Sequence, residues 1–211
     1  IELSAATFNE RVTINKSLTL QGATTDSTLY VLDGTGLAGT GSGIYINTSV
    51  TDVTIQNLIV QNFTGGANDG GIYAANGNDN LTIQSVRVDA NIGGRAGIYV
   101  NGPVDNVTIN EVSSVNHTGI VGANFVQRGI VVWNGFKTNI TITNCTVVNN
   151  FCCGIELQDG TASGVTMSNN YVENNGDSGM SAVGLTSGAG PNVISNNTLI
   201  NNGRYGLEIK N

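Results

Sequence analysis

The phrase Gly154-Ile155-Glu156-Leu157-Gln158-Asp159 decides the fold, because its Gly-Ile opening recurs, with small variations, along the chain. Self-similarity at a nearly fixed period indicates one structural unit per repeat. The interval between copies varies little, except for a longer one before the copy that starts at Gly129. The other copies span positions 43–47, 71–75, 97–101, 129–133, 179–183 and 206–210.

A second phrase lies between these copies, first as Val53-Thr54-Ile55-Gln56-Asn57 and then from positions 81, 107, 140, 165 and 193. A short apolar alternation and a turn such as Asn149-Asn150 follow it. Each repeat therefore contains three short segments of alternating polarity, and this period predicts β-strands.

Stacking of successive repeats would pair each strand with its equivalent about 4.8 Å away as a parallel ladder. Equivalent residues then form columns, two of them apolar and inward-facing. We expect asparagine ladders at two corners. The inward columns are Ile44, Ile72, Ile98, Ile130, Ile155, Met180 and Leu207, and Ile55, Ile83, Ile109, Ile142, Met167 and Ile194; the corner columns are Asn57, Ser85, Glu111, Asn144, Asn169 and Asn196, and Asn62, Asn116, Asn149, Asn174 and Asn201.

These repeats resemble the right-handed parallel β-helix of the pectin-lyase-like superfamily over nearly the whole chain. The resemblance implies an all-β solenoid of about seven to eight coils of roughly 25–33 residues, forming a single domain over positions 1–211. Polar end caps, which a free-standing solenoid needs, are not visible at Ile1-Glu2-Leu3 or at Asn211. We therefore expect a fragment of a longer protein.

The composition restricts the class of partner. The net charge is −7, which argues against nucleic acid, and only 11% of residues are charged. No apolar run approaches the roughly 18 residues of a membrane span. We expect an extracellular or cell-surface location, with other domains of the parent chain as neighbours.

The outward positions of the Gly-Ile strands carry the candidate binding residues. Three tyrosines on consecutive coils, with the only tryptophan beside them, predict an exposed aromatic stripe suited to sugar rings. Two other interpretations of these aromatic residues remain. Their outward stacking serves only to favour β structure, or another part of the parent protein covers this face. The carbohydrate-binding candidates are Tyr45, Tyr73, Tyr99, Trp133 and Gln158.

Ionisable side chains gather near the C-terminal coils. Glu156, Asp159 and Arg128 are the catalytic candidates if the protein is an enzyme, because converging carboxylates perform acid–base glycoside chemistry. Glu208 shares the column of Glu156 two coils away. The catalytic motifs of pectin methylesterases and polygalacturonases are absent.

The remaining reactive residues predict no metal site and no cofactor. Cys145 falls in an apolar column and is expected to be buried, with a disulfide as the alternative, whereas Cys152 and Cys153 are adjacent at a turn. His117, the only histidine, is expected in a loop. Asn and Asp oxygens in 68–69 and 76–80 leave calcium as an alternative, although their spacing matches no dedicated loop.

Two functions follow from these observations. The first is a non-catalytic segment of an extracellular or cell-surface protein, serving as a stalk, an adhesin or a carbohydrate-contacting surface with a polysaccharide or cell-surface glycan as partner. The second is a polysaccharide lyase or glycoside hydrolase acting on the Gly-Ile face. Fold alone does not separate them.

Overall fold

A computed structural model describes residues 1–119 and 127–210. Within them the chain forms short strands and a single 3₁₀ turn, Ser27–Leu29. The strands are β1 (Glu2–Leu3), β2 (Ala6–Phe8), β3 (Val12–Ile14), β4 (Leu18–Gly22), β5 (Tyr30–Asp33), β6 (Ile44–Ile46), β7 (Val53–Gln61), β8 (Gly70–Ala74), β9 (Leu81–Asp89), β10 (Ala96–Asn101), β11 (Val104–Asn110), β12 (Ser113–Val115), β13 (Arg128–Trp133), β14 (Phe136–Thr143), β15 (Thr146–Val148), β16 (Ile155–Gln158), β17 (Thr161–Ser163), β18 (Thr166–Ser168), β19 (Tyr171–Glu173), β20 (Met180–Val183), β21 (Val193–Ser195), β22 (Thr198–Ile200) and β23 (Leu207–Lys210).

Every named pairing between these strands is parallel, which confirms the predicted right-handed parallel β-helix of about seven coils. The seven Gly-Ile phrases and strand β3 form an eight-stranded sheet in the order β3-β6-β8-β10-β13-β16-β20-β23. Ile98 pairs with Ile130 and Ile130 with Ile155, so the register is kept although the first of these two coils is longer. The remaining fifteen strands form a second sheet.

The larger sheet follows two sides of the coil. Strands β7 and β9 are nine residues long and continue through a corner at Asn57 and Ser85, where φ is 57° and 51°. Thirteen of the nineteen described non-glycine residues with positive φ are asparagines. Asparagine tolerates this left-handed conformation better than most residues, so the abundance of asparagine reflects the number of corners.

The two predicted apolar columns form the core except at their C-terminal ends, where Leu207 is 42% exposed and Ile194 is half-buried. Ile44, Ile72 and Ile98 pair in register and are fully buried, as are Ile55 and its partner Ile83. The columns merge into a hydrophobic cluster that runs from Ile14 to Ala182. Within the described part of the chain, no helix has the length and apolar character needed to cross a membrane.

The asparagines stack in two ways at the corner that precedes the Gly-Ile strands. The predicted residues lie on the exposed, left-handed side, where Asn149 Nδ2 donates to Asn116 Oδ1 at 3.3 Å. The buried ladder, which was not predicted, lies one residue later. There the Asn150 backbone N–H donates to Asn175 Oδ1 at 3.1 Å, and the Asn175 N–H donates to Asn202 Oδ1 at 3.1 Å. The inward asparagines therefore satisfy backbone donors of the preceding coil that would otherwise be buried without partners.

Candidate functional site

The outward column of the eight-stranded sheet brings the predicted aromatic residues together. Tyr45 pairs in register with Tyr73, and Tyr73 with Tyr99. Their ring centroids are 5.4 and 4.8 Å apart, and the rings of the second pair are stacked with nearly parallel planes, at 10° to each other. Trp133 meets Tyr99 edge-on, with 6.5 Å between centroids. We call Tyr45, Tyr73, Tyr99 and Trp133 the aromatic row.

The aromatic row is not exposed along its whole length. The prediction of an exposed stripe is therefore wrong at Tyr99. Only 3% of Tyr99 is accessible, and burial raises its pKa to about 12. Tyr99 packs with Ala96 and Val131 in a small apolar cluster outside the main core. Tyr45, Tyr73 and Trp133 remain partly exposed.

Two arginines lie over Trp133. The guanidinium carbons of Arg95 and Arg128 are each 4.5 Å from the centroid of the indole ring. This distance is within the range of cation–π attraction. Arg128 Nη2 also donates to Gln158 Oε1 at 3.1 Å. The predicted candidates Trp133 and Gln158 therefore both contact Arg128, and the tryptophan face already has cationic neighbours.

Glu156 and Arg128, two of the predicted catalytic residues, form a buried ion pair. Their side chains are 9% and 8% exposed, and Arg128 Nε donates to Glu156 Oε2. Removing either partner from such a pair leaves an uncompensated buried charge. Glu156 meets an arginine, as the enzyme hypothesis requires, but its carboxylate is enclosed and directed at protein.

Asp159 does not share this environment. It is exposed, at a corner with φ of 50°, on the far side of Gln158 from Glu156. Glu156 and Glu208 share a column with Ser181 between them. Two strand spacings place their backbones roughly 10 Å apart. Glu208 pairs with Lys210 at 2.9 Å, so the two glutamates belong to separate ion pairs.

An open depression lies at the N-terminal end of the aromatic row. It has a volume of about 260 Å³ and is lined by Arg11, Thr13, Tyr45 and Asp69, among others. Arg11 is held by the carbonyl oxygens of residues 38 and 39, to which it donates at 3.2 and 2.8 Å. The tyrosine end of the row is therefore next to a concave surface that contains one cationic side chain, Arg11, and one carboxylate, Asp69.

The comparison with known families agrees with this architecture. The family model described as "Right handed beta helix region" matches residues 11–163. The chain belongs to the right-handed β-helix family. No curated protein and no solved structure matches the chain.

The β-helix encloses His117, which was predicted to lie in a loop. His117 does lie outside the named strands, but its side chain is fully buried and occupies the position that asparagine holds in other coils. The Asn91 backbone N–H donates to His117 Nδ1 at 3.3 Å, and the His117 N–H donates to Asn150 Oδ1 at 3.2 Å. Burial lowers the pKa of His117 to about 3. The longer interval between the Gly-Ile phrases predicts an insertion of residues 117–124, and its residues 120–124 lie outside the described part of the chain.

Sequence reasoning also missed Lys137, whose ammonium group is buried at a corner. Nζ shares its three N–H donors among four nearby backbone oxygens, those of Asn134, Gly135, Gln158 and Asp159. Burial lowers the pKa of Lys137 to about 8, and the Asp159 carboxylate opposes this shift. The side chain joins two adjacent coils at the corner that follows the strands of Trp133 and Gln158.

The cysteines are all reduced and buried. Cys145 is confirmed in its apolar column, forms no disulfide, and has its pKa raised to about 12 by burial. Cys152 and Cys153 have sulfur atoms 3.5 Å apart, and Cys153 Sγ is 3.9 Å from Glu156 Oε1. The thiol pair thus adjoins the Arg128–Glu156 ion pair.

The oxygens of the calcium alternative take part in hydrogen bonds of the β-helix. Asp69 accepts from Ser42 Oγ and from the Gly66 N–H, and Asp79 Oδ1 accepts from the Asp105 N–H. Asn78 is buried and donates to two carbonyl oxygens of the preceding coil. These segments have a structural role, and calcium stays only an alternative to the prediction that no metal binds there.

Proposed function

We propose that the chain is a non-catalytic β-helix segment of an extracellular or cell-surface protein that contacts polysaccharide through the aromatic row. The observation that carries this proposal is the depression beside Tyr45, which opens next to the partly exposed faces of Tyr45 and Tyr73. Flat aromatic rings beside polar groups are suited to the apolar faces and hydroxyl edges of sugars.

Two arginines outnumber the Asp69 carboxylate on this side of the molecule and favour acidic glycans. Arg11 and Arg95 flank the row near the depression and near Trp133, in a chain whose net charge is −7. Arginine presents a planar fork that matches a carboxylate. We therefore expect polymers of uronic acids to bind more tightly than neutral ones, and this difference to shrink at high salt.

The enclosed position of Glu156 is the reason for proposing binding without turnover. A general acid or base must reach the proton that it transfers. Glu156 instead bonds Arg128 in a site that is nearly closed to solvent. The alternative, a polysaccharide lyase or glycoside hydrolase, requires the Arg128–Glu156 pair to open around substrate.

Retention on a panel of immobilised acidic and neutral polysaccharides tests the proposal. Tyr45→Ala should weaken retention by about tenfold, the order of magnitude of one ring contact. Tyr171→Ala is the matched control, because Tyr171 is also exposed but lies on strand β19 of the other sheet. Equal retention of both variants would contradict a role for the aromatic row.

New reducing or unsaturated ends are followed in the same incubations. We expect none to accumulate. Turnover by the wild-type chain that is lost in Glu156→Gln would overturn the non-catalytic proposal and show that the protein is an enzyme. Circular dichroism must show that the variant is folded.

A further inference from the structure

Three residues from successive coils stack at the corner that holds the thiol pair. The Cys152 backbone N–H donates to the Gln127 carbonyl at 2.8 Å, and the Asp177 N–H donates to the Cys152 carbonyl at 3.1 Å. The two cysteine sulfur atoms and a carboxylate oxygen of Asp177 all lie within 4.8 Å of one another. This cluster is not apparent in the sequence. Asp177 belongs to the next repeat and lies beside Cys152 only because successive coils stack.

The same stack contains polar atoms without partners. Asp177 Oδ1 is buried and makes no hydrogen bond, and the same holds for both side-chain polar atoms of Gln127. Gln127 is fully buried. Buried polar groups in native proteins are nearly always hydrogen-bonded. Three unpartnered atoms in the stack that contains Cys152 therefore point to a ligand.

We propose that Cys152, Cys153 and Asp177 bind one thiophilic divalent metal ion of the Zn²⁺ type. Tetrahedral zinc takes thiolate sulfur at about 2.3 Å and carboxylate oxygen at about 2.0–2.2 Å. These bond lengths require the two sulfurs to lie a little under 4 Å apart, near the 3.5 Å between Cys152 Sγ and Cys153 Sγ. Binding displaces the two thiol protons to solvent, and a solvent molecule completes the four ligands of tetrahedral zinc.

The charges around the site are compatible with a cation. Two thiolates and the Asp177 carboxylate more than balance a divalent ion, and the nearby Arg128–Glu156 pair carries no net charge. Soft thiolate ligands select zinc-like ions over calcium or magnesium, which prefer oxygen. This preference separates the site from the oxygen-rich segments 68–69 and 76–80.

Cobalt titration of the full chain tests the site. The protein is reduced, stripped of metal with a chelator and titrated with Co²⁺ without oxygen. We expect one Co²⁺ per chain, with a thiolate-to-cobalt charge-transfer band and the visible bands of tetrahedral cobalt. One equivalent of Zn²⁺ should remove both sets of bands and raise the melting temperature.

Variants locate the ligands. Cys152→Ser should abolish the charge-transfer band or leave a weak single-thiolate band, and Asp177→Asn should weaken Zn²⁺ binding at least about tenfold. Cys145→Ser is the matched control, because Cys145 is buried away from this corner. This substitution should leave metal binding unchanged. Circular dichroism of each metal-free variant checks folding.

Two results would overturn the proposal. The first is a cobalt spectrum that lacks the charge-transfer band or is unchanged in Cys152→Ser. The second combines a thiol count with a metal titration. The protein as isolated would show one titratable thiol and three after reduction, and the reduced protein would bind no cobalt. Cys152 and Cys153 would then serve as a disulfide pair.

Discussion

Replacing His117 by alanine will destabilise the protein by about 3–5 kcal/mol at pH 7, in the range of large buried substitutions. The change removes the acceptor of the Asn91 N–H and the partner of Ser114 Oγ, which lies 3.0 Å from His117 Nε2. It also leaves a cavity against Gly97, where the ring is so close that a side chain at residue 97 would collide with it. Urea denaturation measures the loss.

His117→Asn is the informative companion variant, because asparagine fills the equivalent position at Asn91, Asn150 and Asn175. The asparagine oxygen replaces Nδ1 as an acceptor, so we expect a smaller cost than for alanine. If His117→Asn is as unstable as His117→Ala, the ladder hydrogen bond does not account for the effect.

The pH dependence of the folding stability further distinguishes histidine from asparagine at position 117. Burial holds the folded pKa of His117 at about 3, below its ordinary value of 6.5, while the Asp89 carboxylate opposes the shift. Between these values the unfolded chain binds more protons than the folded chain, so stability falls as the pH falls, by up to about 1.4 kcal/mol per pH unit. His117→Asn should lose this component between pH 6.5 and 4.5. An unchanged slope in the variant would exclude His117 as the titrating group.

Lys137→Met should cost about 2–4 kcal/mol, the scale for removing a charged donor from buried acceptors. Lys137 lies in register between the buried residues Val104 and Ala162, and methionine has a similar length, so packing changes little. What disappears is the ammonium group that joins four backbone oxygens of two coils.

The matched control is Lys16→Met, which removes the same charge from an exposed position. Its effect should stay within about 0.5 kcal/mol of zero. Thermal unfolding of both variants at one ionic strength compares them. A loss in Lys137→Met no larger than in Lys16→Met would show that water replaces the ammonium group without cost.

Periodicity made the coil predictable, because a residue on a strand meets its equivalents one coil away. Ile98 and Ile130 could be paired from the sequence despite the insertion between them. The inward asparagine ladder was missed because Asn149 and Asn150 read alike, and only the left-handed backbone at Asn149 decides which side chain turns inward.

The site was less predictable because its chemistry depends on residues outside the repeated phrases. Arg95 and Arg128 precede the Gly-Ile phrases of their coils, and nothing in the period indicates that both lie over Trp133. His117 could have been found by aligning it with Asn91 and Asn150 on the coil period. Lys137 carries no such signal, because the corner carbonyls that hold it come from backbone that any sequence provides.

The inward ladder has a direction. In each step the side chain of a later coil accepts a hydrogen bond from a backbone N–H of the earlier coil. Asn91 accepts from Phe63, His117 accepts from Asn91, and Asn202 accepts from Asn175.

A cut between two coils is therefore unequal for the two products. The N-terminal product keeps a backbone N–H that has lost its acceptor. The C-terminal product keeps its ladder oxygens, but its first inward amide loses an acceptor, because Asn175 Nδ2 and Asn202 Nδ2 also donate to Val147 and Val172 of the earlier coil. A side-chain amide can rotate towards solvent whereas a strand N–H is fixed in direction, so serial truncation should be tolerated better from the amino end than from the carboxyl end.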